Sequence, residues 1–452
     1  MPISTTNELY LVAFMKILLV GNGAREHAIA EKIAAEAELY TIMSRKNPAI
    51  AALSKEYWIC DIHNQEKVAA CVHGKDIDIG FASPDSVLAA GISDALAETG
   101  MLVASPTKAA ARIEWDKGYM RTLMQNYKIS GAPKFEIVDN EKDAERTMRD
   151  YGEVAIKPLG LTGGKGVKIS GDHFTTIEEA GEYVTDVLKK DGKILIEEKL
   201  DGEEFSLQAF CDGTRVSTMP PVQDHKRAFE QDRGENTGGM GAYSTGKLLP
   251  FMEQSDLEAA EKIMREVVHA LKKDGGLFRG VLYGQFMAIK DGVRVIEFNA
   301  RFGDPEAMNV LGVMESQISD VLLSIADGNL GTVKFSEFAT VVKYLVPDGY
   351  PEKPINDSVI HIDKAAIAAE GAKAYYASVY ENEGDGEVYT TKSRAMGIMA
   401  IAEKIEDAEQ KAERACGHVK GPVWHRKDIG TAGLIGKRME HMKNIRGTGE
   451  IK

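Results

Sequence analysis

The run Val154-Ala155-Ile156-Lys157-Pro158-Leu159-Gly160-Leu161-Thr162-Gly163-Gly164-Lys165-Gly166-Val167-Lys168-Ile169-Ser170 sets four glycines between two short apolar segments. A Walker A loop would need Gly at 159 and Ser or Thr at 166, where this chain has Leu159 and Gly166, so the run is not a P-loop. After the glycines comes a second strand pattern and not a helix. The glycines therefore join two strands as a hairpin. Such a hairpin can cradle a triphosphate through its backbone N–H groups, with Lys157 reaching the phosphates from the strand before it. A plain flexible hairpin is the competing reading until other motifs are weighed.

Upstream, the apolar run Lys16 to Val20 meets Gly21-Asn22-Gly23 and then a helical pattern from Arg25 to Ala37. Strand, tight turn and helix open a doubly wound α/β unit. Further strands are expected at Leu39–Met43, Ile77–Phe81 and Met101–Ala104, with a helix at Val87–Glu98, giving a parallel sheet that ends near Trp115. A dinucleotide reading of the turn fails. Glu26 stands where the third Gly is required, and no acidic residue lies about twenty residues on to hold a ribose. An anion site built from Gly21, Gly23 and Arg25 survives, beside the alternative that Arg25 and His27 are solvated residues at a helix start.

Downstream, a helix is expected at Gly118–Tyr127, and strands at Lys134–Val138, Val154–Lys157, Val167–Ser170, Lys193–Glu197 and Glu204–Cys211. A long helix at Gln254–Lys273 precedes two strands, Gly280–Lys290 and Val293–Asn299, joined by Asp291-Gly292, a hairpin turn signal. Side chains two apart on a strand share a face, so Glu297 and Asn299 point the same way and Gln285 can join them from the partner strand. Three oxygen ligands on one face suit Mg²⁺, which keeps its waters and bridges nucleotide phosphates. Ile194 to Leu200 runs from an apolar strand into a polar kink followed by Asp201-Gly202-Glu203-Glu204, an edge where adenine can pair with backbone while a carboxylate takes the ribose. Asp224-His225-Lys226-Arg227 and Asn236-Thr237-Gly238-Gly239-Met240-Gly241 put cations, a carboxylate and glycines into two short loops, a composition that is either disordered or ordered around a ligand.

Composition narrows the partners. With 55 Lys+Arg against 69 Asp+Glu, the net charge of −14 excludes the basic footprint that nucleic acid or an anionic membrane needs. Glycine, 44 of 452 residues, exceeds average usage, which points to loops that hold a ligand with their backbone. Cys60, Cys71, Cys211 and Cys416 show no C-x-x-C spacing, so neither a zinc site nor a disulfide framework is indicated and a reduced, cytoplasmic chain is expected. The apolar stretch between Glu8 and Val20 is too short to span a bilayer, and residues 1–14 read as an extension ahead of the first strand.

Together these motifs resemble the ATP-grasp enzymes, and among them the phosphoribosylamine–glycine ligase family. The strings that carry the resemblance are Gly21 to His27, Lys157 with Gly163 to Gly166, Gln223 to Arg227, Asn236 to Tyr243, and Glu297 to Glu306, with a weaker echo at Arg426 to Gly430. The chain departs from the family pattern at Ala82 to Leu88, at Glu114-Trp115-Asp116, at Pro158-Leu159-Gly160 and at Lys392-Ser393-Arg394. The resemblance implies an α/β domain over 15–116, a small ATP-grasp lobe over 117–200, a large lobe with the metal site over 201–335 and a small mixed α/β C-terminal domain over 336–452. It implies that ATP, glycine and 5-phosphoribosylamine react through a glycyl phosphate, in a monomer or homodimer.

The resemblance also implies roles for single residues. Lys117, Lys157, Gly163, Gly164, Lys165 and Gly166 hold phosphates. Glu197, Leu200 and Glu204 hold adenine and ribose. Gln285, Glu297 and Asn299 hold Mg²⁺ or Mn²⁺. Arg301, Asp224 and Lys226 act at the reacting groups, and Gly21, Gly23, Arg25, Asp224, His225, Thr237 and Gly239 bind substrates. A relative that keeps the nucleotide site but acts on another acceptor, or a nucleotide-binding module without turnover, are the rival readings. The first is separated by the 224–241 loops, and the second by a lost metal ligand.

Overall fold

The computed structural model describes residues 15–160, 166–382 and 384–447. Strands β1 (Lys16–Val20), β2 (Glu38–Met43), β3 (Glu56–Ile59), β4 (Ile79–Ala82) and β5 (Leu102–Val103) form a five-stranded parallel sheet in the order β3-β2-β1-β4-β5. β1 and β4 are almost wholly buried, as the continuous apolar runs of a sheet covered on both faces must be. β3 has no counterpart among the expected strands. Its exposure alternates at the sheet edge, so it offers no apolar run to read. The single helix expected over Val87–Glu98 is two, Asp85–Ala89 and Ile92–Glu98, because Gly91 takes φ +82 and ends the first.

The next unit is a four-stranded antiparallel sheet, order β6-β9-β7-β8, from β6 (Phe135–Val138), β7 (Val154–Pro158), β8 (Lys168–Ile169) and β9 (Ile194–Glu198). Helices Glu141–Tyr151 and Ile177–Asp191 cover it, closing a core that includes Met148, Val154, Ile156, Val184, Ile194 and Ile196. Ala155 faces Ile169 and Ile156 faces Lys168 across β7 and β8, so the glycine-rich run does connect two antiparallel strands. Gly163, Gly164 and Lys165 lie outside the described residues.

The large lobe is built from β10 (Glu203–Asp212), β11 (Val216–Thr218), β12 (Gln223–Asp224), β13 (Arg227–Phe229), β14 (Arg233–Asn236), β15 (Gly241–Ser244), β16 (Arg279–Ile289) and β17 (Gly292–Asn299). β11-β10-β16-β17 make one antiparallel sheet, packed against the 20-residue helix Gln254–Lys273, and β13 and β14 form a separate hairpin. The remaining strands are β18 (Ala339–Pro347), β19 (Val359–Ile362), β20 (Ala372–Tyr376), β21 (Val379–Glu381), β22 (Val388–Thr390), β23 (Met396–Ala402), β24 (Val419–Lys420) and β25 (Val423–Trp424). A second large sheet runs β12-β15-β18-β23-β20, so strands from both sides of position 336 share one hydrogen-bonded ladder. The last helix, Ala432–Arg446, leaves the C-terminal sheet and packs on β10 and β16. Among the described residues no helix is long and apolar enough to cross a membrane.

Candidate active site

The site grows from the β16–β17 hairpin. Gln285 pairs with Glu297 and Tyr283 with Asn299, which sets all four side chains on one face of the sheet. Glu204, on the neighbouring β10, reaches the same face and accepts a hydrogen bond from Gln285 Nε2 at 3.0 Å. Four cations converge on Glu297. Burial alone would raise its carboxyl, but Lys226, Lys117, Lys157 and Arg301 outweigh that and hold it below the usual carboxylate range. The field is reciprocal. Burial opposes the charge on Lys226, yet Glu204, Glu297, Asp224 and Glu306 raise its ammonium above the ordinary lysine value. For Lys117 burial wins and the shift is downward, with its Nζ donating to Gly160 O at 2.9 Å.

Arg301 is held over this face from three sides. Its guanidinium donates to Asn299 Oδ1 at 3.1 Å, pairs with Glu114 Oε1 at 3.0 Å and lies 5.8 Å from the Tyr283 ring centre. Glu114 is itself fixed by the Ala300 N–H at 2.8 Å. Asp224 lies nearby, with Oδ1 buried and lacking a hydrogen-bond partner. Burial first, then Glu306, pushes its carboxyl well above the carboxylate range. Lys226 Nζ stands 3.6 Å from Glu204 Oε2, so Asp224 and Lys226 both open toward the Glu297 face.

The surroundings of the other expected site residues differ from one another. Gln285 Oε1 lies beside the Tyr283 hydroxyl, on the face that also carries Glu297 and Asn299. The Tyr283 hydroxyl, with one proton to give, sits between Gln285 Oε1 and Glu306 Oε1, the latter 2.8 Å away, while Gln285 Nε2 donates to Glu204. Gln285, Glu297 and Asn299 present hard oxygen donors on one face, a set that fits a cation completing its shell with water and phosphate. Glu197, expected at the ribose, is buried with both oxygens occupied, one by Arg121 and the other by Lys157 Nζ at 2.5 Å. It positions Lys157. Glu204, also expected at the ribose, sits with Gln285 and Lys226. Leu200 is half-buried in the bend between β9 and β10.

His225 does not face the cleft. Its fully buried ring lies between Tyr243, 5.9 Å away, and Asp232 Oδ1, 3.6 Å from Nδ1. The Gly21–Gly23 turn is closed by the chain's own carboxylate. Gly23 N–H donates to Glu26 Oε2 at 2.6 Å, Arg25 Nε pairs with Glu26 Oε1 at 2.7 Å, and Arg25 Nη1 donates to Phe302 O at 3.0 Å. Through Arg25 this turn also joins the first domain to the Arg301 loop. Thr237 and Gly239 shape a wall. The Thr237 hydroxyl donates to Lys226 O at 2.8 Å and accepts from Gly239 N at 3.1 Å. At φ +107, a Cβ on Gly239 would come within 2.7 Å of Asp224 Oδ1.

The residues that sequence reasoning missed arrive from distant segments. Arg121 comes from helix Lys117–Asn126, and Arg394 donates to Gly238 O at 2.7 Å and Gly239 O at 2.8 Å while pairing with Asp304 at 3.1 Å. Glu114, Tyr283 and Glu306 complete the set. Glu114, Glu306 and Arg394 lie inside strings that the sequence marks; Arg121 and Tyr283 do not.

A four-stranded antiparallel lobe facing a larger lobe, with lysines from the first and a Glu-x-Asn strand from the second, defines an ATP-grasp enzyme. Three models of phosphoribosylglycinamide synthetase match the chain: the N domain over residues 15–114, the ATP-grasp (A) domain over 115–307 and the C domain over 340–432. The phosphoribosylamine–glycine ligase of Methanosarcina barkeri is 48% identical over 440 residues, covering 96% of this chain and 100% of its own. That of Methanobrevibacter smithii is 47% identical over 437 residues, covering 95% and 100%. The chain belongs to the phosphoribosylamine–glycine ligase family. The crystal structure of the Thermotoga maritima ligase superposes with TM-score 0.78 at 25% identity, over 92% of this chain and 100% of that one. A biotin carboxylase domain from Hydrogenobacter thermophilus shares the fold at TM-score 0.70 and 14% identity, over 95% of this chain and 94% of that one.

Proposed function

We infer that this chain joins glycine to 5-phosphoribosylamine at the expense of ATP, releasing glycinamide ribonucleotide, ADP and phosphate. The observation that carries the reading is the convergence of Lys117, Lys157, Lys226 and Arg301 on the ionised Glu297 carboxylate. A carboxylate does not react with an amine until one oxygen becomes a leaving group. The glycine carboxylate therefore attacks the γ-phosphorus, ADP departs, and the ribosylamine nitrogen then attacks the glycyl phosphate and expels phosphate. Phosphoryl transfer of this kind asks for positioning and charge neutralisation more than for covalent help from the protein.

In this reading Lys117 and Lys157 bind phosphate oxygens, with Lys157 oriented by Glu197. Gln285, Glu297 and Asn299 hold a divalent cation, Mg²⁺ or Mn²⁺, which when bound neutralises phosphate charge. Arg301 stabilises the acyl phosphate, and Lys226 the charge that moves between donor and acceptor. Asp224, buried without a partner, gains its counter-charge from a substrate amine. The small wall at Gly239 leaves room beside it. Free cysteines fit a reducing, cytoplasmic setting.

The test is ADP release by the purified chain with ATP and phosphoribosylamine, comparing glycine with a panel of other amino acids. Strong selectivity for glycine is expected. ADP release that ignores glycine would sink the assignment and favour an ATP-grasp enzyme with another acceptor.

A further inference from the structure

The C-terminal helix Ala432–Arg446 begins where the C-domain match ends, at residue 432. Its polar contacts go to the large lobe. The Arg438 guanidinium donates to Asp232, and its Nε lies 3.3 Å from Glu203 Oε2, an ion pair without hydrogen-bond geometry. His441 Nδ1 lies 2.6 Å from Glu203 Oε1, and Arg446 holds Asp256 with two hydrogen bonds of 3.0 and 2.8 Å.

Both anchors of Arg438 are close neighbours of cleft residues. Glu203 is 3% exposed and opens β10; the next residue, Glu204, turns to the other face and meets Gln285 and Lys226. Asp232 sits in the β13–β14 turn. There Gln231 at φ +59 and Asp232 at φ +55 are two consecutive non-glycine residues in the left-handed region, a conformation that persists only where outside contacts impose it. Those contacts are on hand. Asp232 Oδ1 accepts from Arg426 Nη1 at 3.0 Å and lies 3.6 Å from His225 Nδ1, and Gln231 N–H donates to Asp428 Oδ2 at 2.7 Å. His225 in turn separates Asp224 from Lys226 on one extended segment.

We propose that Arg438 is a positioning residue of this site: by bridging Glu203 and Asp232 it fixes the 224–237 loop against the start of β10, and so sets where Lys226 stands. The role rests on reading that loop as the acceptor side. A surface ion pair would contribute little, but Glu203 is buried and the Arg438 and Asp232 side chains are each 24% exposed, so their pairing constrains geometry.

The test compares full-length wild type with Arg438→Gln and Arg438→Lys in three measurements: amide hydrogen exchange over 225–237, steady-state kinetics for phosphoribosylamine and for ATP, and melting temperature. Arg438→Gln is expected to speed exchange in that loop and to lower kcat/KM for phosphoribosylamine by ~10-fold, the size of a coupling within a charge network, with KM for ATP nearly unchanged. Arg438→Lys, which keeps the charge, is expected to recover most of the loss. Unchanged exchange, or losses that fall equally on ATP and the amine alongside a lowered melting temperature, would overturn the proposal. Should the wild type itself ignore glycine, the functional reading fails, and the exchange comparison alone decides whether the bridge holds the loop.

Discussion

Glu297, half-buried, and Glu197, buried, are both acidic residues set among cations, yet they do opposite work. Glu297 keeps a face open to the cleft beside Asn299, whereas both oxygens of Glu197 are consumed by Arg121 and Lys157. Glu297→Ala is therefore expected to cut glycine-dependent turnover by ~10²-fold or more, the scale of losing one preorganised charge-stabilising group, with the circular dichroism spectrum and melting curve preserved. Near-normal rates at low Mg²⁺ would show the metal assignment to be wrong. Glu197→Gln should register in stability first. It leaves two buried cations uncompensated, a loss of about 3–5 kcal/mol in urea denaturation, and a loss below about 1 kcal/mol would mean the cations find water. The Glu297-x-Asn299 pair is legible because strand alternation needs only local sequence. The work of Glu197 is not, because its partner Arg121 lies 76 residues away with no local signal. His225 faces Tyr243 and Asp232 for a simpler reason: in an extended segment Asp224 and Lys226 share a face and the residue between them cannot.

At the scale of elements, the helix Ala24–Ala34 docks on β20 through His27. Tyr376 N–H donates to His27 Nδ1 at 2.9 Å, and the rings of Tyr375 and Tyr376 meet the imidazole edge-on. The imidazole must stay neutral to accept that bond, and burial above all else pushes it down to about 4. The unfolded chain takes up a proton near pH 6.5 while the folded chain does not until about 4. This contact is therefore fully stabilising above about pH 6.5 and loses its contribution as pH falls toward 4, by on the order of 3 kcal/mol. Urea denaturation of wild type and His27→Gln at about pH 7 and about pH 4.5 checks the sign: their stability gap should shrink at the lower pH, and a gap that widens would refute it. Elements themselves are legible to different degrees. The β16–β17 hairpin and the helix Gln254–Lys273 follow from strong local patterns. β3, an edge strand of four residues, carries none, and Gly91 divides a helix whose apolar spacing looks continuous.

Over the whole molecule, the C-terminal portion is part of the site's support. β15 pairs along its length with β18, placing Gly241 to Ser244 opposite Thr340 to Lys343, and Arg394 holds the carbonyls of Gly238 and Gly239. A chain cut after residue 336 would leave the β15 edge unpaired and that loop unsupported. Such a truncation is expected to be aggregation-prone and to lack a cooperative melting transition. A soluble truncated chain that still binds ATP and melts cooperatively would show that the large lobe folds without its C-terminal partner.

The sequence by itself determined the order of the units, the hairpin that is not a P-loop, and the cation-and-carboxylate chemistry of the cleft. These rest on periodicity, turn residues and the spacing of side chains along one strand, all of them local. Only the tertiary structure decided which charged groups are free to meet a ligand and which are spent on one another. Glu26 fills the first glycine turn, Glu197 binds two cations, and Arg394 and Arg438 reach in from the far end of the chain. The physical reason is that a buried polar group must find a partner, and the partner is chosen by proximity in space, which residue spacing does not encode.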